Sequence, residues 1–454
     1  MKQKFNKYMN MQNSRYAIKA VSFLILFFIY GAANAQEKRQ ISLNEAVQLG
    51  IENSKQLKLS RAKVDEAITQ YEQAKDAALP TGKVSYAYNH AEIPENKLTA
   101  GPTTIELPKR ADAWLGTFSL QQLIFAGNKL KYAKESTDLL TKVALLDVDR
   151  DKDDIVYNVI NAYYNLYKVQ QSRKVVDQNL QAIDKQIKQS QRFFEQGIVT
   201  KNDVLRFQLQ RSNIEITGMD LDANRKIINY NLNVLLGLPE NTQLEATQVA
   251  AGANQSVALN NLIDSALTNR SELKAYDLRG EVADKNIKSV KANMLPTFGV
   301  GVSAYYLNAG SLFIPPAERF ITPISAAASL SWNFDQLWTN KNKVAEARIQ
   351  KTQLAIGKDL TVDRVKTDVN QSFQNYLNAV DKIKVLQTAV DQARENDKIL
   401  ESKYQNNIAS ATDRVDAESQ LFLQLINIEL AKADAGLAYY SLIKSTGTIT
   451  NINF

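Results

Sequence analysis

Apolar positions along this chain recur with two periods. Over 362–383, Val362, Val365, Val369, Phe373, Tyr376, Val380 and Ile383 step by three or four, the seam of helices packed at shallow angles. The surrounding segment 341–405 is interrupted only by Gly357, and its counterpart 128–196 has neither Gly nor Pro. At ~1.5 Å per residue the latter predicts a helix of about 100 Å, unusual in a compact domain. Other stretches alternate strictly. Val84, Tyr86 and Tyr88 alternate with Lys83, Ser85, Ala87 and Asn89. Trp114, Gly116, Phe118 and Leu120 alternate with Leu115, Thr117, Ser119 and Gln121. The same period marks 298–305 (Phe298, Val300, Val302, Ala304) and 324–334 (Ile324, Ala326, Ala328, Leu330, Trp332, Phe334). One greasy face per strand fits a half-buried soluble sheet or a membrane barrel equally well.

These elements come round twice. Leu43, Asn53, Leu57 and Pro80 correspond to Leu259, Asn269, Leu273 and Pro296 at an offset of 216. Ser119, Leu120, Asn165, Asp203, Gln210, Tyr230 and Gly237 correspond to Ser329, Leu330, Asn375, Asp413, Gln420, Tyr440 and Gly447 at an offset of 210. A period this long indicates a duplicated half rather than a solenoid. The expected organisation is a first repeat at 36–238 and a second at 257–454, joined by a linker at 239–256. The first holds a helix, strands near 83–90 and 112–124, a long helix 128–196 and a return helix 200–236. The second holds a helix, strands near 297–306 and 323–334, a long helix 341–405 and a return helix 410–446. Pro80 and Pro296 each end a helix before a strand. Pro94, Pro102, Pro108, Pro315 and Pro316 punctuate the long hairpin loops 90–111 and 307–322.

Each long helix stops at a short polar break, GIVTKNDVL (197–205) in the first copy and NIASATDRV (407–415) in the second. Gly197 and Asn407 suit the left-handed position that closes a helix. Thr200 with Asp203, and Ser410 with Asp413, resemble capping boxes with Asp in place of Glu or Gln. Such a cap contributes ~1 kcal/mol and places a carboxylate at the positive helix end. One turn later the copies diverge: Arg206 in the first, Asp416 in the second.

The first residues change the charge reading. Lys2, Lys4, Lys7, Arg15 and Lys19 precede an apolar run and an Ala33-Asn34-Ala35 site, which marks 1–35 as a secretory signal peptide. Without it the 55 basic and 48 acidic residues fall to a net charge of +2, which gives no electrostatic support for a nucleic-acid partner. No other long apolar run follows, so entry into a membrane requires strands in a closed barrel. The chain has no cysteine, and its single histidine, His90, falls at the outer end of a strand. No phosphate loop, metal-ligand cluster or cofactor motif stands out, so an enzyme is not expected.

The span RFFEQGIVTKNDVLRFQLQRSNIEITGMDLDANRKIINYNLNVLLGLP, with its drifted second copy KYQNNIASATDRVDAESQLFLQLINIELAKADAGLAYYSLIKSTG, resembles the signature turn and return helix of the TolC-like outer membrane efflux proteins. The resemblance implies a mainly α fold with a small transmembrane β portion. It implies a homotrimer whose α-helical barrel is continuous with a 12-stranded β-barrel, four strands per protomer. It implies an exit duct in the outer membrane, reaching into the periplasm and partnered by outer membrane lipid, a periplasmic adaptor and an inner-membrane transporter, for efflux or type I secretion. The adaptor would dock at the turns, on Gly197, Ile198, Val199 and Thr200 and on Asn407, Ile408, Ala409 and Ser410. Asp413 and Asp416 would ring the periplasmic entrance, drawing cations and able to hold divalent metal. Asp203 would hydrogen-bond Tyr404 as a gate latch, with Arg206 behind it. The family's second latch uses an arginine where Ala409 stands, so here the closed state is expected to be weaker. A periplasmic coiled-coil scaffold is the alternative, and it differs in having no use for greasy strand faces around Trp114, Phe118, Trp332 and Phe334.

Overall fold

A computed structural model describes residues 38–247, 258–308 and 320–452. The expected signal segment, the second half of the linker and the loop bearing Pro315 and Pro316 lie outside those residues. In chain order the elements are β1 (Arg39–Ile41), α1 (Leu43–Asn53), α2 (Lys55–Asp76), β2 (Thr81–Glu92), β3 (Lys97–Ala100), β4 (Thr103–Glu106), β5 (Arg110–Phe125), α3 (Lys129–Glu195) and α4 (Lys201–Leu236). They continue with β6 (Leu244–Ala246), α5 (Leu259–Asn269), α6 (Ser271–Lys291), β7 (Thr297–Asn308), β8 (Ile324–Ser331), α7 (Gln336–Gln405) and α8 (Ala411–Ser445). The described chain is thus mostly helical with a small sheet portion. None of its helices is long and apolar enough to cross a membrane.

Two compact units form, each from separated stretches. One draws on the described residues within Met1–Ser54, Asp153–Leu259 and Asn370–Phe454, the other on those within Lys55–Lys152 and Asn260–Val369. In the first unit Val156, Val159, Ile160 and Tyr164 of α3 are buried, as are Leu232 and Leu236 of α4. α1 lies close against this core because Gly50 has no side chain; a Cβ there would sit 2.4 Å from Val159 Cγ2. β1 and β6 pair in parallel from Arg39↔Leu244 to Ile41↔Ala246. The fully buried Tyr163 donates its hydroxyl to the Ile41 carbonyl at 2.9 Å.

The second unit holds an antiparallel sheet in the order β2-β5-β7-β8. Its register aligns Val84, Phe118, Ala304 and Ile324 in one row, and Lys83, Ser119, Ser303 and Ser325 in the next. Side chains alternate across a strand, so these rows belong to opposite faces. One face carries Val84, Tyr86, Phe118, Leu120, Val300, Val302, Ile324 and Leu330; the other carries Ser85, Thr117, Ser119, Ser303, Ser325 and Gly301. A bulge between Leu123 and Phe125 ends the regular pairing just before α3. In this unit ion pairs tie the helices, with Lys285 on Glu135 at 2.7 Å, Lys351 on Asp284 at 2.7 Å, and Arg270 on Asp368.

Three features depart from the sequence reading. The loop 90–111 contains the hairpin β3–β4, paired from Lys97↔Glu106 to Ala100↔Thr103. Each repeat's opening helix is two helices, because Ser54 (ψ 115) and Arg270 (ψ 122) leave the helical region without any Gly or Pro. β8 stops at Ser331, because the next residues turn into α7, with Gln336 N donating to Asn333 O at 3.1 Å.

Candidate functional site

The two helix breaks are built alike. After α3, Gly197 takes φ +70, and the amide of Ile198 donates back to Phe193 O at 2.9 Å. After α7, Asn407 takes φ +60, and Ile408 N donates to Lys403 O at 2.8 Å. Nothing lies within 4 Å of a Cβ built on Gly197, so only its backbone angle calls for glycine. Each return helix then opens with a reciprocal cap. Thr200 N and Thr200 Oγ1 both donate to Asp203 Oδ2 at 2.8 Å, and Asp203 N donates to Thr200 Oγ1. In the second copy Ser410 N and Ser410 Oγ donate to Asp413 Oδ2 at 3.2 and 2.7 Å. Those bonds hold the Asp413 carboxyl below its usual pKa, the Ser410 hydroxyl first and its amide second. At the tips Ile198 and Ile408 are exposed, 46% and 74%. Val199 and Ala409 are half-buried.

The residues behind the caps differ. Asp413 and Asp416, three positions apart, are both exposed on one face of α8. Asp416 and the exposed Arg206 have no ion-pair partner among the described residues. The structure makes no hydrogen bond between Asp203 and Tyr404. The Asp203 carboxylate is engaged in its own cap. The Tyr404 ring is buried at 5% exposure against Phe207 (5.5 Å between centroids) and Phe193 (6.1 Å), and its hydroxyl has no partner. Burial raises the phenol's pKa, and the Asp203 charge adds to the shift.

A buried ionic cluster in the second copy escaped the sequence reading. Arg414 of α8 is 4% exposed and ion-pairs with Asp397 of α7. Glu418, one turn on and 3% exposed, has no hydrogen-bond partner on either carboxylate oxygen. Burial pushes its pKa up to about 7; Arg414 and Gln186 oppose the shift while Asp397 and Glu401 reinforce it. The signal lay in the repeat. At the offset of 210, Asp397, Arg414 and Glu418 stand where the first copy has Ile187, Val204 and Gln208.

The sheet's apolar face is bounded at both ends. At one end Tyr88 and Trp114 pack at 5.3 Å. Beyond them come His90 with Asp112 (2.7 Å) and Arg110 with Glu92 (3.1 Å). At the other end lie Phe125 and Trp332, whose Nε1 donates to Met294 O at 3.0 Å, and Phe334 against Trp338 at 5.8 Å. From Trp114 to Phe125 the strand rises about 36 Å at ~3.3 Å per residue. At a ~45° tilt this is about 25 Å, the height of the apolar band of an outer-membrane barrel. Among the described residues no group of three or more His, Asp or Glu side chains is placed to hold a metal ion.

Comparison with known proteins agrees with this division of parts. The family model described as "Outer membrane efflux protein" matches residues 46–238 and 262–448. The chain is 22% identical over 351 residues to the outer membrane efflux protein BepC of Brucella suis, covering 74% of this chain and 73% of that one. It is 21% identical over 337 residues to the toxin and drug export protein A of Aggregatibacter actinomycetemcomitans, covering 73% and 70%. The solved outer membrane protein VceC of Vibrio cholerae shares the fold, with a TM-score of 0.72 at 16% identity over 89% of this chain and 96% of that one.

Proposed function

We propose that this chain, which belongs to the outer membrane efflux protein family, works in the outer membrane as the homotrimeric exit duct of a tripartite system, reaching into the periplasm. Three copies of β2-β5-β7-β8 close a twelve-stranded barrel in outer membrane lipid, and the helices continue the tube. The mature chain begins after the signal at 1–35, and each repeat, 36–238 and 257–454, supplies one strand pair and one pair of long helices. An inner-membrane transporter supplies the energy and selects the cargo, and a periplasmic adaptor seats on the turns at Gly197–Thr200 and Asn407–Ser410.

The observation that carries this reading is the sheet. Among the described residues β2 pairs only with β5 and β8 only with β7, so both edges are open, and no described residue covers the apolar face of the strands. Val84 and Ile324 are each 77% exposed. Open edges and a greasy face are both resolved by closure of a barrel in lipid. Asp413 and Asp416 would then face the periplasmic aperture as the charge ring. Asp203, Tyr404 and Arg206 would form the latch, through packing of Tyr404 on Phe193 and Phe207 and through charge rather than through an Asp203–Tyr404 hydrogen bond. The test is extraction of the protein from outer membranes, sizing in detergent and recording in planar bilayers. Trimers with discrete conductance are expected; a soluble monomer with no conductance would sink the reading.

A further inference from the structure

The serine-rich face of the sheet carries one charge. Of the residues that the register places on it, from Thr81, Ser85 and Asn89 through Thr117, Ser119 and Gln121 to Ser303, Ser325 and Ser329, only Lys83 is of a charged type. The Ser85 and Thr117 hydroxyls meet at 2.5 Å on this face. Lys83 is exposed and has no acidic partner among the described residues. It lies two residues into β2, just past Pro80, at the end of the strand that receives the helix. On the opposite face the flanking positions are Gly82 and Val84, which no charge interrupts until His90.

We propose that Lys83 forms a threefold cationic collar inside the barrel, at its periplasmic end, and that this collar favours anionic groups on passing cargo, carboxylates or phosphates. The inference rests on the exit-duct reading. Symmetry sets three copies of the ammonium at one height. A narrow water-filled lumen with low-dielectric walls focuses their field. The row around Lys83, Ser119, Ser303 and Ser325, offers hydroxyls and no carboxylate to neutralise it. Cargo drawn in past the acidic residues of the mouth therefore meets the opposite charge where helix gives way to strand.

The chain has no native cysteine, which makes the test direct. Lys83→Cys and Val84→Cys trimers are treated in outer membranes with a water-soluble cationic or anionic methanethiosulfonate. Labelling of residue 83 and protection of residue 84 are expected. The reverse pattern overturns the face assignment whether or not the channels conduct. Reversal potentials under a KCl gradient then read the charge. Lys83→Cys and Lys83→Gln should raise the permeability ratio of K⁺ over Cl⁻ about twofold, as three charges ~10 Å from the axis and partly screened would allow. The cationic reagent should restore the wild-type ratio at position 83 and the anionic one should exaggerate the shift, and Lys83→Arg should match wild type. Conducting channels whose ratio ignores the charge at 83 overturn the collar. A wild-type protein without conductance overturns the duct itself.

Discussion

The two helix turns share a cap and one apolar cluster, but only the second adds buried charge to it. At the first, Val204 and Phe207 are buried beside an apolar cluster that includes Val176, Ile183 and Ile214. At the second, the position matching Val204 is Arg414, just as buried, and it holds Asp397 while Glu418 sits unpartnered one turn on. The same backbone device rests on apolar packing in both copies, and in the second a buried ionic cluster has been added to it. Apolar packing does not titrate, whereas a buried charge cluster depends on the protonation state of its members. The second turn is therefore the conditional one of the pair, and it also bears Asp413 and Asp416.

The sharpest way to break this comparison is at its matched positions. Arg414→Ala leaves the half-buried Asp397 without its cation, beside the buried Glu418, and should lower stability by about 3–5 kcal/mol. Val204→Ala removes only methyl groups and should cost about 1–2 kcal/mol. Chemical denaturation of the purified protein in detergent reads both, and equal losses would erase the distinction. Installing the first copy's residues together, Asp397→Ile, Arg414→Val and Glu418→Gln, should be neutral or stabilising.

Glu418 sharpens the comparison through pH. Its folded pKa, about 7, lies above the ordinary 4.5, so the native state binds the extra proton between those values. Stability from this group is present below pH 4.5 and is lost as pH rises through 7. Glu418→Gln should flatten that slope by about 1–3 kcal/mol, and the matching Gln208→Glu in the first copy, where no such cluster exists, should not reproduce it. A slope that survives Glu418→Gln would assign it elsewhere.

Smaller effects follow at the tips. Asp413→Ala with Asp416→Ala should reduce cation preference and divalent-cation block in bilayer recordings, while Asp203→Ala should leave both near wild type. Unchanged selectivity in the double variant would leave Asp413 as a cap alone. Gly197→Ala forces a side chain into φ +70 and should lower stability by about 1–2 kcal/mol. Asn407→Gly should change it by only a few tenths.

Much of this architecture could be read from residue order because it rests on strong local signals. Period-two alternation revealed the sheet and its greasy face, and runs free of Gly and Pro revealed the long helices. What stayed hidden depends on partners distant in sequence. β1 and β6 are three residues each and exist only because they meet each other and Tyr163. β3 and β4 sit among Pro94, Pro102 and Pro108, which read as plain loop. Arg414 and Glu418 look like ordinary surface charges on a helix; only their burial against α7, or a comparison with Val204 and Gln208, marks them out. Tyr404 stands nine residues ahead of Asp413, but its hydroxyl lies buried in packing with no bond to Asp203, a matter of side-chain geometry that spacing does not encode.

The open edges of β2 and β8 also bear on how the protein is made. A four-stranded sheet with two unpaired edges and a bare apolar face has no stable resting place as a single copy, in water or in lipid. On the proposed trimeric barrel, membrane insertion and subunit encounter would therefore be one kinetic event, whose rate climbs steeply with local copy number. While a chain waits, its edges are templates for the wrong neighbour. For this molecule the hazardous interval is the one between secretion and assembly, and shielding of those two strands during that interval is what the cell must supply.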